Sequence, residues 1–464
     1  MMNCACSGGF ATQAIHAGYE AGDHGDAAVP PIYLSAAFDL RDTARGDALS
    51  AGEQDGFAYS RVGNPTVAVL EARICALEHG RSAVAFGSGM GAVAAALLTA
   101  AEGGGRIIAP TSLYGASIDA LRDYFPGFGI DADFVDDIND LRAVEALIGP
   151  DTRAIFAESV ANPSTQVTDV AGLAEVAHRH GVAVIVDNTV PTPYLFRPLE
   201  HGADVVVHST TKGLCGHGNA LGGIVVDGGT FDWGTARFPQ FSAPDLAISD
   251  ERCGAWRSFS GRYGHDAFAA RVRAKALHNL GAVQGAMDAY LQLMGIETLA
   301  VRVREQVRSA TAIAQWLRRQ PQVTRLQYTG LLAGEDKENT AALDLRLAQE
   351  RADGHATQES LVRRYFPHGV GGLLSFTLAG GRDQVRALID ATQLFTYIPN
   401  IGDTRSLIVD PARITHREVP GSFHGSAGVG DDVVRLSIGL EDTRDLLDDL
   451  EHAFARAYGA TMAA

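Results

Sequence analysis

Short apolar runs recur at regular intervals through the first half of the chain, and helix-like patterns separate several of them. The runs cover residues 83–86, 106–109, 132–135, 154–157, 182–186, 204–207 and 223–226. Residues 141–148 and 170–180 repeat their apolar positions with a helical period. Because the strands of a parallel sheet are buried on both faces, they appear in a sequence as such unbroken runs. The pattern therefore predicts an α/β domain with a mostly parallel seven-stranded sheet over residues 64–265.

The second half of the chain gives a different pattern. Residues 267–319 follow a helical period that Gly295 interrupts, and residues 333–357 are polar enough to predict a loop. Strand-like and helical segments then alternate, at residues 372–378, 382–394, 406–409, 433–438 and 444–458. We therefore expect a C-terminal α+β domain over residues 266–464.

Residues 1–63 have few periodic positions. Pro30 and Pro31 favour extended backbone, so an N-terminal arm is expected here. The first ten residues carry neither the basic nor the apolar region of a secretory signal. Cys4 and Cys6 form a C-x-C pair, but no second pair of Cys or His completes a metal site, and no metal is expected.

Composition excludes several classes of protein. The chain has 464 residues, of which 46% are apolar and 20% charged, as in a globular protein of two or three domains. A net charge of −17 disfavours nucleic-acid binding. The longest apolar stretch, residues 92–101, is half the length that a membrane-spanning helix needs. Five sparse cysteines do not predict a disulfide framework. A cytoplasmic protein without nucleic-acid or membrane partners is expected.

A glycine-rich turn provides the first candidate site. Residues 87–92, Gly-Ser-Gly-Met-Gly-Ala, follow one predicted strand and precede a predicted helix. Such a turn presents free backbone N–H groups and the positive end of the helix to an anion. The segment also matches the dinucleotide pattern G-x-G-x-x-A, but the next run, residues 106–110, ends without the acidic residue that this pattern requires. A phosphate of another ligand is therefore favoured over a dinucleotide and over a plain tight turn.

Asp187 and Lys212 each follow an apolar run, so both are expected at the carboxyl edge of the sheet, where open α/β sheets bind ligands. Taken alone, Asp187 also fits a structural loop cap. Of the 38 basic residues only three are lysines: Lys212, Lys275 and Lys337. Lys275 and Lys337 lie in charged patterns typical of solvated residues. Because arginine neither loses its proton nor forms a Schiff base, Lys212 is the candidate for amine chemistry.

A phosphate site, a carboxylate and a Schiff-base lysine at one sheet edge are the parts that pyridoxal phosphate requires. The phosphate would dock on residues 87–92, Asp187 would pair with the pyridinium nitrogen, and Lys212 would hold the aldehyde carbon. Arg435 also stands out, because it lies within an otherwise apolar predicted strand and so needs an anion. That anion is either a substrate carboxylate or the partner in a structural salt bridge.

Five motifs resemble those of the Cys/Met-metabolism family of pyridoxal-phosphate enzymes, and the resemblance covers nearly the whole chain. They are Y-S-R-V-G-N-P-T at 59–66, S-G-M-G-A at 88–92, E-S-V-A-N-P at 158–163, H-S-T-T-K at 208–212 and R-L-S-I-G-L-E at 435–441. The resemblance implies an aspartate-aminotransferase-like large domain of fold type I, followed by the α+β domain. It also implies a dimer with shared active sites, assembled into a tetramer, in which the arm of residues 1–63 contacts the neighbouring subunit.

The resemblance also assigns roles to individual side chains. The implied catalytic residues are Lys212, Asp187 and Tyr114, whose ring would stack on the pyridine ring. The further implied contacts to the cofactor are Gly89, Met90, Asn162, Ser209 and Thr211, together with Tyr59 and Arg61 from the neighbouring subunit. The implied substrate-binding residues are Asn162, Ser406 and Arg435.

Residues 400–409 distinguish the reactions within the family. Their sequence, N-I-G-D-T-R-S-L-I-V, resembles the corresponding segment of O-acetylhomoserine sulfhydrylases, whereas cystathionine synthases and lyases more often have S-L-G-G there. Ala116 stands where methionine γ-lyases carry a cysteine beside the stacking tyrosine. The implied reaction is a γ-replacement that converts O-acetyl-L-homoserine and sulfide (or methanethiol) to homocysteine (or methionine) and acetate.

Departures from the family pattern leave alternatives open. Gly213 stands where an aromatic residue is usual, and residues 410–416, D-P-A-R-I-T-H, differ from H-P-A-S-T-T-H at three positions. Asp410 and Arg413 are expected to face the substrate mouth, so the acyl group and the sulfur donor stay undetermined. Cystathionine γ-synthase, O-succinylhomoserine sulfhydrylase and methionine γ-lyase remain alternatives. A nicotinamide-dependent oxidoreductase and an inactive binding protein are disfavoured.

Overall fold

The structure is a computed structural model that describes residues 8–250, 254–334 and 340–459. A large sheet is built from seven strands: β1 (Ser82–Phe86), β2 (Gly105–Pro110), β3 (Ile130–Val135), β4 (Thr152–Glu158), β5 (Ala183–Asp187), β6 (Val205–His208) and β7 (Gly223–Asp227). Their order across the sheet is β1–β7–β6–β5–β4–β2–β3. Each strand coincides with one of the seven apolar runs, which confirms the predicted sheet.

The central strands of this sheet all run in one direction. Strands β6, β5, β4, β2 and β3 are parallel, whereas β7 pairs antiparallel with β6 and β1. In this register Glu158 of β4 lies opposite Asp187 of β5, which in turn lies opposite Val207 of β6. Because parallel strands end at the same edge, Glu158, Asp187 and the segment that follows β6 are delivered to one place.

Both faces of the large sheet are covered. Val184 and Val186 of β5 belong to one hydrophobic core, and Ala183 and Ile185, which alternate with them, belong to another. Alternation of this kind is expected when successive side chains point to opposite faces of a buried sheet. The first core continues into the C-terminal part of the chain through Phe376 and its neighbours.

A second sheet is formed by the C-terminal part. Its strands are β8 (Val323–Gln327), β9 (Leu373–Leu378), β10 (Thr396–Tyr397), β11 (Leu407–Val409) and β12 (Val433–Ser437), in the order β10–β11–β12–β9–β8. Arg435 of the central strand β12 lies opposite Val409 and Ser375. The three expected strands are confirmed as β9, β11 and β12. β8 was missed because exposed Thr324 and Arg325 break its apolar pattern.

Helices surround the two sheets. The α-helices are Phe10–His16, Thr43–Ala51, Pro65–Leu77, Gly89–Ala100, Gly115–Asp119, Leu141–Leu147, Val170–Arg179, Thr192–Leu195, Pro239–Ser242, Phe259–Tyr263, Ala267–Arg271, Ala286–Glu297, Leu299–Leu317, Thr340–Asp353, Gln358–Tyr365, Arg382–Ala391, His424–Ala427 and Thr443–Tyr458. Wider turns at Ala120–Tyr124 and Val272–Leu280 extend two of them. Within the described parts of the chain, no helix has the length and apolar character needed to cross a bilayer.

Gly295 does not break the helical region, contrary to the expectation from its sequence. The helix Ala286–Glu297 runs through Gly295, and the interruption falls at Thr298. A Cβ at position 295 would lie 2.0 Å from the carbonyl oxygen of Cys215. Gly295 is therefore the residue that lets this helix approach the segment that follows Lys212.

The polar segment 333–357 is also not a simple loop. It contains the helix Thr340–Asp353, in which Leu343 and Leu347 are buried one turn apart. Two apolar positions among many charged ones are too weak a pattern to predict a helix. The N-terminal arm is likewise interrupted by two helices, Phe10–His16 and Thr43–Ala51, whereas residues 30–35 form neither a helix nor a strand. Cys4, Cys6 and Lys337 lie outside the described residues.

Candidate active site

Lys212 lies in a cleft whose walls come from the segment after β6 and from the C-terminal sheet. Its Nζ donates a hydrogen bond of 2.6 Å to Oδ1 of Asn400. Burial, reinforced by the positive charge of Arg435, lowers the pKa of the Lys212 amine to about 8. The amine therefore loses its proton more readily than a solvated lysine, as a nucleophile or base requires. Lys275, by contrast, is not the solvated charge expected, because it is partly buried in a 2.7 Å ion pair with Asp245.

Asp187 ends β5 at the carboxyl edge of the sheet. Its Oδ1 accepts a hydrogen bond of 2.9 Å from the backbone N–H of Thr189. The Thr189 hydroxyl in turn accepts one of 2.8 Å from the backbone N–H of Ser209, which joins the ends of β5 and β6. Burial raises the pKa of Asp187, while the Thr189 hydrogen bonds and the positive form of His208 act in the opposite direction. The structure thus places Asp187 and Lys212 at one edge, as the sequence predicts.

Glu158, at the end of β4, organises two of the loops that carry candidate residues. Its carboxylate accepts hydrogen bonds from the backbone N–H groups of Tyr114, at 2.6 Å, and Asn162, at 3.0 Å. Burial and the neighbouring Asp187 charge raise the pKa of Glu158 to about 8. Glu158 belongs to the motif at residues 158–163, but no pattern in the sequence indicates its role.

The turn after β1 forms an anion cup. Ser88 caps the helix that begins at Gly89, and its hydroxyl accepts a 3.0 Å hydrogen bond from the N–H of Gly91. The N–H groups of Gly89 and Met90 have no partner among the described residues, as is usual at a helix N-terminus that binds an anion. A Cβ at position 89 would lie 2.5 Å from Cβ of Ser209, so only glycine lets the cup meet the segment after β6.

The two hydroxyls predicted to face the phosphate are placed differently. Ser209 lies against Gly89, at the rim of the cup. The Thr211 hydroxyl instead donates to the carbonyl oxygen of Gly222 at 3.2 Å and accepts from the N–H of Gly222 at 2.9 Å. A phosphate contact from Thr211 therefore requires its hydroxyl to turn away from Gly222, and it stays a prediction.

Arg435, on β12, is only 2% exposed. Its Nη1 donates to Oδ1 of Asn162 at 3.1 Å and to Oγ1 of Thr415 at 3.3 Å, and its Nη2 donates to the carbonyl oxygen of Asn400 at 3.2 Å. Nε has no partner, and burial lowers the pKa of Arg435 to about 10. No acidic side chain of the described residues pairs with it. A buried guanidinium without a counter-charge suits a carboxylate ligand.

Tyr114 and His416 pack against each other beside Asn162. The two rings meet edge to face, with centroids 6.3 Å apart and planes at 88°. The Nε2–H of His416 donates to the carbonyl oxygen of Asn162 at 2.9 Å. Burial and the charge of Arg435 lower the pKa of His416 to about 3, so its imidazole is neutral. Burial raises the pKa of the Tyr114 hydroxyl.

Tyr59 and Arg61 lie on the surface of the arm. Tyr59 is 48% exposed, and the Arg61 guanidinium lies 5.6 Å from the centroid of its ring. Arg61 also donates to the carbonyl oxygen of His278. Within the described chain neither side chain contacts Lys212 or Asp187. Their predicted contribution to a neighbouring subunit stays a prediction.

Three further expected residues point away from the cleft. The Ser406 hydroxyl is buried, donates to Glu441 at 2.8 Å and accepts from Gly439 at 2.9 Å, so it would have to leave both to reach a substrate. Arg413 is paired on the surface with an aspartate, Asp431, at 2.9 Å. Asp410 accepts the hydroxyl of an exposed tyrosine. Substrate binding by Ser406 stays a prediction.

Comparison with known proteins settles the family. A model of the Cys/Met metabolism PLP-dependent enzymes matches residues 11–344 and 353–455. The chain belongs to this family. Between the two matched ranges, residues 345–352 are unmatched, and they lie within the helix Thr340–Asp353.

Relatives in this family carry two activities in their names. The chain is 36% identical to a homocysteine synthase of Schizosaccharomyces pombe, over 96% of this chain and 97% of the relative. It is 38% identical to an O-acetyl-L-homoserine sulfhydrylase of Corynebacterium glutamicum and to an L-methionine gamma-lyase of Pseudomonas putida, each over 96% of this chain and 97% of the relative. A crystal structure of a putative O-acetylhomoserine (thiol)-lyase from Campylobacter jejuni, which contains a pyridoxyl-lysine monophosphate, superposes with a TM-score of 0.85, 31% identity and coverage of 96% and 99%.

The residues present fit the cofactor of this PLP-dependent family. The aligned edge of the sheet offers an anion cup at Gly89 and Met90, a carboxylate at Asp187 and an amine of lowered pKa at Lys212. These three groups match the phosphate, the pyridinium nitrogen and the aldehyde of pyridoxal phosphate. The fold is accordingly the fold type I architecture of PLP-dependent enzymes, as expected.

Proposed function

We propose that this PLP-dependent enzyme is a transferase that replaces the γ substituent of O-acetyl-L-homoserine with sulfide, or with methanethiol, giving homocysteine, or methionine, and acetate. The observation that carries the proposal is the contact of 2.6 Å between Lys212 and Asn400. Asn400 is the first residue of the segment that resembles sulfhydrylases, and this contact brings the segment to the amine. Relatives named homocysteine synthase and O-acetyl-L-homoserine sulfhydrylase support the same reaction.

Pyridoxal phosphate, when bound, supplies an electron sink that makes the α proton of an amino acid acidic. We assign removal of that proton to Nζ of Lys212, whose lowered pKa leaves an unprotonated fraction near neutral pH. Asn400 holds Nζ in the cleft through its side-chain oxygen. Asp187 anchors the ring nitrogen, and Gly89, Met90 and Ser209 bind the phosphate.

Arg435 binds the carboxylate of the amino acid in this proposal. Its guanidinium is already oriented by Asn162, Thr415 and Asn400, so little side-chain freedom is lost when the substrate arrives. Tyr114 stacks on the pyridine ring, and Glu158 holds the backbone of Tyr114 in place. Asn162 then contacts both Arg435 and the cofactor.

A methionine γ-lyase is the second candidate, because a relative of that name shares 38% identity with the chain. Ala116, beside Tyr114, carries no thiol, which weighs against this activity. The same active site would eliminate the γ substituent, rather than replace it, if water reached the cleft before the sulfur nucleophile. Cystathionine γ-synthase and O-succinylhomoserine sulfhydrylase differ from the first candidate in the nucleophile and the acyl group.

One competition assay separates these reactions. Purified enzyme receives O-acetyl-L-homoserine with sulfide and cysteine present together, and the products are identified by mass spectrometry. We expect homocysteine as the main product, with O-succinyl-L-homoserine reacting more slowly in a parallel assay. Cystathionine as the main product would overturn the choice of nucleophile, and 2-oxobutyrate would replace the transferase proposal by a lyase. The Lys212→Ala variant is the blank for uncatalysed reaction of the acyl ester.

We further propose three units in the chain: an arm of residues 1–63, a cofactor domain of residues 64–265 and a C-terminal domain of residues 266–464. Tyr59 and Arg61 of the arm are proposed to reach the phosphate of a neighbouring subunit, in a dimer that pairs into a tetramer in the cytoplasm. The exposure of two large apolar side chains, Tyr59 and Leu280, supports a subunit contact. Light scattering measures the oligomer, and Arg61→Ala should weaken cofactor retention.

A further inference from the structure

Two buried polar side chains of the helix Leu299–Leu317 face segments that meet at the candidate site. Arg302 and Gln306 are each 4% exposed, and because they are four positions apart they lie on the same face of the helix. A polar group that is withdrawn from water needs hydrogen-bond partners within the protein. The partners of these two side chains therefore show what this face of the helix holds in place.

Arg302 holds the turn that follows Lys212. Its Nη1 donates to the carbonyl oxygen of Gly213 at 2.9 Å, and its Nη2 donates to those of Leu214, at 3.3 Å, and Gly295, at 2.7 Å. A guanidinium can bind several oxygens at once because its donors form a rigid planar fork. Arg302 thereby fastens the turn after Lys212 to the preceding helix, which contains Gly295.

Gln306 holds the segment that carries Asn400. Its Nε2 donates to the carbonyl oxygen of Asp403 at 2.9 Å. Three residues before Asp403, the side chain of Asn400 accepts the hydrogen bond of 2.6 Å from Nζ of Lys212. One face of a single helix therefore holds both of the segments whose side chains form this contact.

The two segments also approach each other through their backbones. Gly402 has a φ of +70°, and a Cβ at this position would lie 2.6 Å from the backbone nitrogen of Gly213. Such a close approach leaves little room for one segment to shift without the other. The position of the Lys212 amine relative to Asn400 thus depends on how both segments are held.

Arg302 acts through hydrogen bonds to uncharged oxygens. It forms no ion pair with a carboxylate of the described residues, and its acceptors are the three carbonyl oxygens and the hydroxyl of Thr298, at 3.1 Å. The charge of Asp403 acts on Arg302, whereas the charge that acts on the Lys212 amine is that of Arg435 on β12. The link between Arg302 and Lys212 is therefore the backbone of the turn.

We propose that Arg302 and Gln306 are positioning residues for the reactive amine: together they fix the turn after Lys212 and the segment of Asn400, and so set the contact between these two side chains. Within the described chain neither residue hydrogen-bonds Nζ of Lys212, so both act through the backbone that they hold. The inference rests on Lys212 as the reactive amine of the proposed function and is independent of the acyl group and the sulfur nucleophile.

The test measures the environment of Lys212 in the full-length protein freed of cofactor. Wild type and Arg302→Met are acylated over a range of pH, and peptide mass spectrometry follows the labelling of Lys212. In the wild type, burial and then Arg435 lower the pKa of Lys212 to about 8, so labelling should reach half of its maximal rate near pH 8. A looser turn admits water to the amine, so Arg302→Met should raise this midpoint by about one unit. At a pH below the midpoint, labelling should slow about tenfold.

Arg302→Lys separates position from charge. It keeps the positive charge, but one ammonium group cannot bind together the three carbonyl oxygens that the fork of Arg302 contacts. The midpoint of Lys212 should therefore also rise, by at least about half of the shift in Arg302→Met. A midpoint equal to that of wild type would mean that the charge of Arg302, and not its contacts, acts on the amine, and it would overturn the proposal. The same variant decides the question if Arg302→Met does not fold.

Gln306→Met tests the second segment without a change of charge. Loss of the contact with Asp403 should raise the midpoint of Lys212 by less than Arg302→Met does. Because both residues act on one contact, the double variant should shift the midpoint by less than the sum of the single shifts. An unmoved midpoint in Gln306→Met, or shifts that add fully, would contradict a shared role.

Arg237→Met is the matched control. Arg237 also binds backbone carbonyl oxygens, at the start of β4 and near it, namely those of Gly149, Pro150, Thr152 and His180. Its loss should lower the melting temperature without moving the midpoint of Lys212. Lys275, paired with Asp245, is the reference within each sample, and its midpoint should stay constant. An equal shift of Lys212 in Arg237→Met, or a parallel shift of Lys275, would reduce the effect to a general loosening of the fold. Labelling is the readout, so failure of the sulfhydrylase assay leaves this test unaffected.

Discussion

The two ends of β6 carry similar chemical groups in different states. At the amino end the buried Asp204 accepts hydrogen bonds from Nε2 of His178 at 2.9 Å and from the backbone N–H of Val184 at 2.7 Å. At the carboxyl end Nδ1 of His208 and Oγ1 of Thr210 are buried without partners. The buried carboxylate at the amino end is hydrogen-bonded within the fold, whereas these two buried atoms at the carboxyl end have no hydrogen-bond partner in the described chain.

This difference follows from the direction of the strands. Parallel strands converge with helix N-termini at their carboxyl edge, so that edge collects unpaired N–H groups and positive helix ends. Each buried polar group without a partner costs about 1–3 kcal/mol. The groups of the proposed site, Asp187 and Lys212, lie at the carboxyl edge, whereas the contacts of Asp204 at the amino edge stabilise the fold.

Removing the amine of Lys212 should have the largest effect on the function of the carboxyl edge. Lys212→Ala deletes the proposed base, and kcat/KM should fall by at least about a thousandfold. The variant should also lose covalent attachment of the cofactor, measured by intact mass after borohydride reduction. Lys275→Ala, which removes a lysine paired with Asp245, is the control and should keep both properties. Covalent attachment that persists in Lys212→Ala would assign the chemistry to another residue.

Arg435→Ala should have the next largest effect. A charged hydrogen bond contributes about 1.5–3 kcal/mol, so KM for the amino acid should rise about ten- to a hundredfold while cofactor content changes little. Steady-state kinetics and cofactor absorbance measure the two effects. Arg413→Ala is the control, because that guanidinium is paired with Asp431 on the surface. An unchanged KM in Arg435→Ala would remove its role in substrate binding.

The pKa of Lys212 provides a further test of the environment at the carboxyl edge. In cofactor-free protein, acylation of Lys212 should reach half of its maximal rate near pH 8, because burial and then Arg435 lower its pKa to about 8. Competitive labelling followed by peptide mass spectrometry measures this value. Arg435→Ala should move the midpoint upward, yet short of that of a solvated lysine, since burial remains. A midpoint near pH 10.5 in the wild type would contradict the desolvated environment.

The carboxyl edge could largely be predicted from the sequence. Asp187 and Lys212 directly follow apolar runs, and the strand-end rule then places them together without knowledge of the tertiary fold. The anion cup at Gly89 could be predicted for the same reason, because a strand, a glycine turn and a helix start are local features of the sequence. Local patterns therefore identified the part of the site that consists of consecutive residues.

The remaining site residues depend on contacts between distant segments. Asn400 lies 188 positions from Lys212, and Arg435 lies 273 positions from Asn162. No periodic pattern in the sequence identifies such pairs, since they form only when separate elements pack together. The helix Thr340–Asp353 was not predicted for a related reason: it is held by Arg351, which pairs with the buried Asp169 of another segment. Its own sequence contains little of the information that stabilises it.

The weakest effect is expected for His178, which pairs with Asp204 at the amino end of β6. The hydrogen bond to Asp204 raises the pKa of His178, so its charge stabilises the fold fully below the unfolded value near 6.5 and ceases to do so as pH rises through the folded value. His178→Gln keeps a hydrogen bond but removes that charge. Because His178 is 40% exposed, screening limits the loss to under about 1 kcal/mol. The melting temperature of the variant should therefore lie below that of wild type at pH 5.5 and barely differ from it at pH 8.5, with kcat/KM unchanged. An equal difference in melting temperature at both pH values would mean that packing, and not charge, accounts for the contribution of His178 to stability.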